Sequence, residues 1–304
     1  MIEQPVEAVS PRGGTRLRAF LSLFKLRIFS LLWAESVVGL LLASGISPSA
    51  YGILVLTCAG FLATAGSGAL NNYFDRDVDA KMKRTSTRPI PTKMVRPEEA
   101  LYLGIVMGVL GVGLAFFGLS PASGAMVASG FLTYAIVYTY LLKRTTSWNI
   151  VIGGAAGSFA FLAGWTASSP ITLEAFMISL VIFLWTPSHF WALAIRAVRQ
   201  YEAAGIPMLP VVAGVKATAQ AIMANSIALV ASSLLLFSLG FFGYLYLGVA
   251  LVLGALLLFS DFLLVRSTTA AMAWRAYKFT APYLLLLSLS MVADKVAAHL
   301  ASFL

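Results

Sequence analysis

The sequence predicts an all-α integral membrane protein with nine transmembrane helices, on three observations. Hydrophobic side chains make up 60% of the 304 residues and charged ones only 11%, and the mean hydropathy is +0.88. An ordinary soluble domain carries roughly 25% charged residues, so this chain has too little polar side chain to cover a water-facing surface. The apolar residues also gather in runs of roughly 20, the length a helix needs to cross the hydrocarbon core. Finally, the basic residues collect on one side of those runs, as cytoplasmic loops require. This composition excludes a soluble enzyme, a disordered regulator and a fibrous protein. The net charge of +9 suits loops beside anionic lipid head groups, and no nucleic acid is expected as a partner.

Residues 1–20 read as a polar cytoplasmic tail carrying Arg12, Arg16 and Arg18. The tail lacks the short apolar core and small-residue cleavage site of a signal peptide. The remainder, 21–304, reads as a single transmembrane domain. Span one, 22–44, starts around Lys25 and Arg27 and holds the one clear mid-span acid, Glu35. That acid either faces an internal cavity or pairs with a neighbouring helix. Span two, 51–72, contains the single cysteine, Cys58, so neither an internal disulfide nor a Cys-ligated metal cluster can form. A long inside loop follows, with Arg76, Lys81, Lys83, Arg84, Arg88, Lys93 and Arg96. Spans three and four occupy 99–118 and 122–142, and Gly104 with Gly108 reads as a close helix contact. Lys143 and Arg144 form a short inside loop before spans five and six, 149–168 and 172–195. Arg196, Arg199 and Lys216 mark the next inside loop, ahead of spans seven and eight, 217–238 and 242–264. Arg266, Arg275 and Lys278 precede span nine, 279–298. Of the 21 Lys and Arg residues, only Lys295 falls outside the inside loops and tail. The two longest loops, 73–98 and 196–216, follow spans two and six, a faint sign of a duplicated four-helix unit.

The strongest chemical signal is Asn71-Asn72-Tyr73-Phe74-Asp75-Arg76-Asp77-Val78-Asp79, at the inner end of span two. Asn71, Asp75 and Asp79 are spaced i, i+4, i+8 and form one stripe on a continuing helix. Two carboxylates about 6 Å apart along the axis, with an amide, suit one or two Mg²⁺ ions that keep other oxygen ligands. Asp77 points off that stripe and is expected to pair with loop cations. Five of the twelve acids (Asp75, Asp77, Asp79, Glu98 and Glu99) bracket the densest cluster of cations in the chain. A solvated helix end explains this bracketing less well than a magnesium–diphosphate site does. In such a site Lys83, Arg84 and Arg88 would neutralise phosphate oxygens that the metal bridges. A transporter or channel is the rival from another class. Against it, the acids cluster at one mouth and no charged relay crosses the spans.

The second long loop opens with Trp185-Thr186-Pro187-Ser188-His189-Phe190-Trp191 and continues through Arg199-Gln200-Tyr201-Glu202 to Pro207-Met208-Leu209-Pro210. His189 is one of two histidines; on its own it reads as a buried, hydrogen-bonded structural residue. His299, near the far terminus, is given no role.

Taken together, these loops resemble the UbiA-type intramembrane prenyltransferases, and within them the heme O synthases. The matching segments are NNYFDRDVDAKMKRTSTRP at 71–89, LKRTTSWNIVIGGAAG at 142–157, TPSHFWALAI from 186 and YEAAGIPMLPVV ending at 212. The first segment is shared in outline across the superfamily, whereas the last two point to the heme branch. The resemblance implies helices around a central cavity open to the cytoplasmic side and the bilayer. It also implies transfer of a farnesyl group from farnesyl diphosphate to a vinyl group of heme B. By the motif match, Asn71, Asp75 and Asp79 would hold Mg²⁺–diphosphate, and Lys83, Arg84 and Arg88 would stabilise the departing diphosphate. His189 becomes a candidate heme contact, with Tyr201 and Arg199 as further substrate contacts. Tyr73, Phe74, Trp185 and Phe190 are candidates to shield an allylic cation. The location implied is the plasma membrane, with heme A synthase or a terminal oxidase as the partner receiving product.

The sequence also departs from the family. Gln200 stands where an acid is expected before Tyr201, Lys25-Leu26-Arg27 replaces a Lys-Pro-Arg pattern, and Phe159-Ala160-Phe161 replaces a Pro-Pro pair. The missing acid leaves open a second metal ion, a different acceptor such as a quinone precursor or chlorophyllide, and a non-catalytic paralogue that binds heme or prenyl lipid.

Overall fold

A computed structural model describes residues 16–302; Arg12 and the first part of the expected tail lie outside the described residues. Within this range the chain is helical and no strand is present. The helices are α1 (Arg16–Leu23), α2 (Leu26–Ala43), α3 (Ala50–Phe74), α4 (Arg76–Lys81), α5 (Pro97–Gly118), α6 (Pro121–Leu132, running on as π-helix over Thr133–Leu142), α7 (Asn149–Gly153), α8 (Ala155–Trp165), α9 (Leu173–Arg196), α10 (Val198–Ala203), α11 (Leu209–Val212), α12 (Val215–Ser238), α13 (Tyr244–Arg266) and α14 (Ala270–Ala301).

Local chemistry sets the helix starts. Ser49, Ser120, Thr172 and Thr269 each accept a hydrogen bond from a backbone N–H of the first turn of α3, α6, α9 and α14, which satisfies donors that have no partner within the helix. Pro97 and Pro121 stand in the first turns of α5 and α6, where no N–H is needed.

Eight helices among the described residues are long and apolar enough to cross a membrane. Expected span five is the exception: it is the shorter Asn149–Trp165 segment, broken into α7 and α8. The break falls at Gly153-Gly154. A Cβ on Gly153 would lie 2.7 Å from Cδ2 of Tyr138, so glycine there lets π-helical α6 come close. Span one also differs from the sequence reading. Residues 16–23, most of them assigned to the tail, form α1, and the membrane helix starts after Lys25. α1 buries Ala19 and Leu23 against Ala69, Ile90, Val95 and Ala100, and it forms part of the wall described below.

The long helices follow one another around a ring. α2 packs on α3, then α5, α6, α8, α9, α12, α13 and α14 follow in turn, and α14 closes against α2. The α3–α5 contact depends on the glycines read from the sequence, since a Cβ on Gly66 would lie 2.7 Å from both Gly104 O and Gly108 N. Large apolar side chains such as Val109, Leu110 and Phe117 are exposed on the outward face of α5, as a lipid-facing surface requires. Glu35 does not reach the cavity. It is buried between α2 and α14 and accepts hydrogen bonds from Ser288 Oγ at 3.1 and 2.9 Å.

Candidate active site

A cavity of about 460 Å³ lies at the ends of α2, α3, α6 and α9, where the two long loops meet. One wall is built from the acidic motif. Asp75 ends α3, yet its N–H still bonds Asn71 O at 2.9 Å and Asp79 N–H bonds Asp75 O at 2.7 Å. The helical register therefore carries across into α4, and Asn71, Asp75 and Asp79 all line the cavity, as their spacing predicted. All three are buried.

Their partners come from elsewhere in the chain. Asn71 Nδ2 donates to Asp75 Oδ2 at 2.8 Å and to Thr139 Oγ1 at 3.0 Å. Lys143 Nζ lies 2.5 Å from the same Asp75 oxygen, and Arg88 Nη1 lies 2.7 Å from Asp79 Oδ2. Lys25 donates to Asn71 Oδ1 and, at 2.9 Å, to Tyr134 OH. Lys25 has φ 48, a left-handed backbone rare for a residue with a Cβ; it turns the chain between α1 and α2 and places the ammonium at the site. Burial, and then the charge of Arg88, lower its pKa well below the usual lysine range.

The π-helical end of α6 explains how Tyr134, Tyr138 and Lys143 come to line the same cavity. Lys143 N–H bonds Tyr138 O at 2.8 Å and Thr139 Oγ1 bonds Tyr134 O at 2.8 Å, both across five residues. The wider turn displaces side chains from α-helical positions, a device common at functional sites. Sequence reasoning missed these residues as site components. Lys143 and Lys25 were visible only as loop cations, and nothing in the sequence announces a π-turn.

Arg84, Arg88 and Tyr201 also line the cavity, and Arg84 joins the two loops. Its backbone N–H donates to Gln200 Oε1 at 3.3 Å and its guanidinium to Tyr201 OH at 3.4 Å. Phe190, Leu193, Ala194, Ile150 and Met208 supply an apolar side.

Other candidates stand outside the lining. Lys83, in the loop after α4, and Arg199, on α10, are exposed. The ring of Tyr73 faces Arg76, 4.6 Å from the guanidinium carbon, and Phe74 packs on Tyr140. Trp185 is buried, donating from Nε1 to Thr280 O at 2.7 Å. His189 lies 2.6 Å from Thr280 Oγ1 through Nδ1 and is sandwiched between Trp185 and Tyr277, each ring 4.4 Å away. Of the four aromatics expected to shield a cation, Phe190 reaches the cavity, where Tyr134 and Tyr138 join it. The reason is angular: His189 and Phe190 are consecutive on one helix and point about 100° apart. Asp77 is exposed and forms a two-point pair with Arg144, at 2.9 and 2.6 Å. That hydrogen-bonded pair holds the Asp77 carboxyl below its ordinary range and raises Arg144.

The donor set fits a hard divalent cation. Asp75 Oδ1 is buried with no hydrogen-bond partner among the described residues, although its second oxygen is fully engaged. A buried, unpaired carboxylate oxygen is costly, and Mg²⁺ prefers such oxygen ligands. No group of three or more His, Cys, Asp or Glu side chains converges among the described residues. An ion held by Asp75, with Asn71 and Asp79 beside it, would therefore complete its shell from water and a phosphate ligand.

Known proteins point the same way. A protein from Cenarchaeum symbiosum named protoheme IX farnesyltransferase 1 is 42% identical over 91% of this chain and 95% of its own length. A protoheme IX farnesyltransferase from Roseiflexus castenholzii is 38% identical over 92% of this chain, which spans about half (52%) of that longer protein. Among solved structures, a digeranylgeranylglyceryl phosphate synthase superposes with a TM-score of 0.79 at 19% identity, covering 93% of this chain and 100% of that one. A UbiA homologue from Archaeoglobus fulgidus, bound to GPP and Mg²⁺, superposes at 0.67 with 16% identity, covering 90% and 99%. The UbiA prenyltransferase family profile matches residues 32–287, and with most of the chain inside that match, the chain belongs to the UbiA prenyltransferase family.

Proposed function

We propose that this protein transfers the farnesyl group of farnesyl diphosphate to a vinyl group of heme B, giving heme O. The observation that carries the diphosphate half is the cavity itself, in which Asp75 and Asp79 face Lys25, Arg27, Arg84, Arg88 and Lys143. The heme half is supported by relatives of about 40% identity named protoheme IX farnesyltransferase. Residues 21–304 act as one transmembrane domain in this reading. In this reading the cavity opens to the cytoplasm at the plasma membrane, which the excess of Lys and Arg in the loops around it supports.

Chemistry follows from the lining. Asp75, with Asn71 and Asp79, would hold Mg²⁺, which when bound supplies charge that offsets the diphosphate as it leaves. Arg84, Arg88 and Lys143 stabilise the charge that develops on diphosphate while the allylic C–O bond breaks. Lys83, in the loop after α4, and Arg199, on α10, both exposed, draw the anionic substrate in. Tyr134, Tyr138 and Phe190 present aromatic faces to the allylic cation and keep bulk water away. The terminal vinyl carbon attacks the farnesyl carbon and forms the new C–C bond. Water then adds to the neighbouring carbon, releasing a proton and leaving a hydroxyethylfarnesyl group. His189 acts as a heme contact from α9, its ring orientation fixed by Thr280. Product passes to a heme A synthase or a terminal oxidase in the same membrane.

The test is an assay of purified protein with heme B, farnesyl diphosphate and Mg²⁺, reading extracted hemes by mass. Farnesyl-hydroxyethyl heme that disappears in Asp75→Ala is expected. Unchanged heme B from folded protein would sink the acceptor assignment, and product that survives Asp75→Ala would sink the metal site.

A further inference from the structure

The charge and donor inventory of the cavity points to a site that works with a single divalent ion, and we infer that Arg84, held by Gln200 and Tyr201, takes the place of a second. This rests on the magnesium–diphosphate reading above. Both carboxylates of the cavity, Asp75 and Asp79, stand on the α3–α4 wall. Asp75 Oδ2 takes Asn71 and Lys143, and Asp79 Oδ2 takes Arg88. Asp75 Oδ1 is the carboxylate oxygen at the site that is buried without a partner among the described residues. Asp75 Oδ1, with Asp79 one turn further along the same wall, is a place for one ion.

The facing wall offers no carboxylate. Gln200, beside the lining residue Tyr201 but not itself in the lining, brings a neutral amide whose oxygen accepts from the backbone N–H of Arg84. Glu202 is exposed and does not line the cavity. A divalent ion placed there would have no anionic ligand from the protein and would lie beside the like charge of the Arg84 guanidinium. Arg84 supplies positive charge at that wall instead. Its planar fork matches two phosphate oxygens at once, and the bonds to Gln200 and Tyr201 hold its loop against α10. One ion at Asp75 has an anionic ligand from the protein; a second, on the facing wall, would have none.

The experiment uses the full-length protein in detergent, the unreactive sulfur-bridged analogue of farnesyl diphosphate, and Mn²⁺ counted by the EPR signal of the free ion. One Mn²⁺ per bound analogue is expected, and two would overturn the proposal. Analogue bound with no Mn²⁺ would overturn the metal reading of the site itself, and no binding of either would overturn the diphosphate reading as well. Gln200→Asp is expected to add a second, weaker Mn²⁺; a count that stays at one removes Gln200 as the determinant. Arg84→Gln is expected to weaken analogue binding about tenfold or more, corresponding to the loss of a charged hydrogen bond, at an unchanged count of one. Arg84→Lys should recover part of that affinity, and an unaffected affinity in Arg84→Gln would overturn the role of Arg84.

Discussion

The two long loops begin alike, each at the C-terminal end of a membrane helix carrying a polar motif, and they end differently. In the first, α3 runs into α4 without losing helical register, so residues four apart stay on one face and Asn71, Asp75 and Asp79 converge. In the second, the motif residues are consecutive, and the helix spreads them around its circumference. His189 turns towards α14, Phe190 towards the cavity, and Ser188 towards α12, where its hydroxyl lies 2.9 Å from that of Ser226. Spacing converges chemistry only when it matches the helical repeat. The first segment therefore supplies both carboxylates of the cavity together with Arg84 and Arg88, whereas the second supplies Phe190, Tyr201 and Met208 and a neutral anchor for Arg84.

The strongest way to break this contrast is Lys143→Met. It strands the buried Asp75 carboxylate beside Asn71, and the loss of one partner from a buried pair costs about 3–5 kcal/mol. A large drop in the unfolding midpoint is expected, partly recovered in the Lys143→Met, Asp75→Asn double variant. Next comes Asp79→Asn, which should lower heme farnesylation by about 10²–10³-fold with the fold intact; a modest effect would mean that the acidic stripe is structural. His189→Leu removes one of the two hydrogen bonds of the Thr280 hydroxyl, which still donates to Tyr277 O at 2.8 Å, and should cost about 0.5–1.5 kcal/mol, read by thermal unfolding. Because His189 lies outside the lining, binding of the diphosphate analogue should be unchanged, while affinity for heme B falls. Phe190→Ala opens the apolar side of the cavity; the expected signature is a rise in farnesol released relative to farnesylated heme.

The smallest effect belongs to the exposed Asp77–Arg144 pair. Asp77→Asn should cost under about 1 kcal/mol and be masked by salt. The Asp77 pKa is lowered in the folded protein. Its contribution is therefore present above the unfolded value of about 3.9 and is lost as pH falls through the lowered folded value. Unfolding of wild type and Asp77→Asn should accordingly converge in strong acid.

Much of the site was legible in the sequence for a local reason. Asn71, Asp75, Asp79, Arg84 and Arg88 lie within one helix end and the loop that follows, so spacing and charge density reveal them together. Lys25, Tyr134 and Lys143 could not be read in the same way. They come from two other helices, and what aims them is a left-handed residue at Lys25 and a π-turn in α6. Neither has a signature in composition or periodicity. Glu35 shows the opposite limit. The sequence marked it as exceptional, but the choice between cavity and helix partner depended on whether Ser288 lay opposite.

The sequence by itself determined that the chain lies in a membrane, roughly where its helices run, and that acids and cations meet at one mouth. Apolar length, charge sorting and the helical repeat are properties of a single segment in its solvent. Only the tertiary structure decided which side chains share the cavity, that expected span five is a broken helix, and that His189 faces away from the acids. Those outcomes depend on how close neighbouring helices come. That distance is set by pairwise fits such as Gly66 on Gly108 and Gly153 on Tyr138, which no single segment contains.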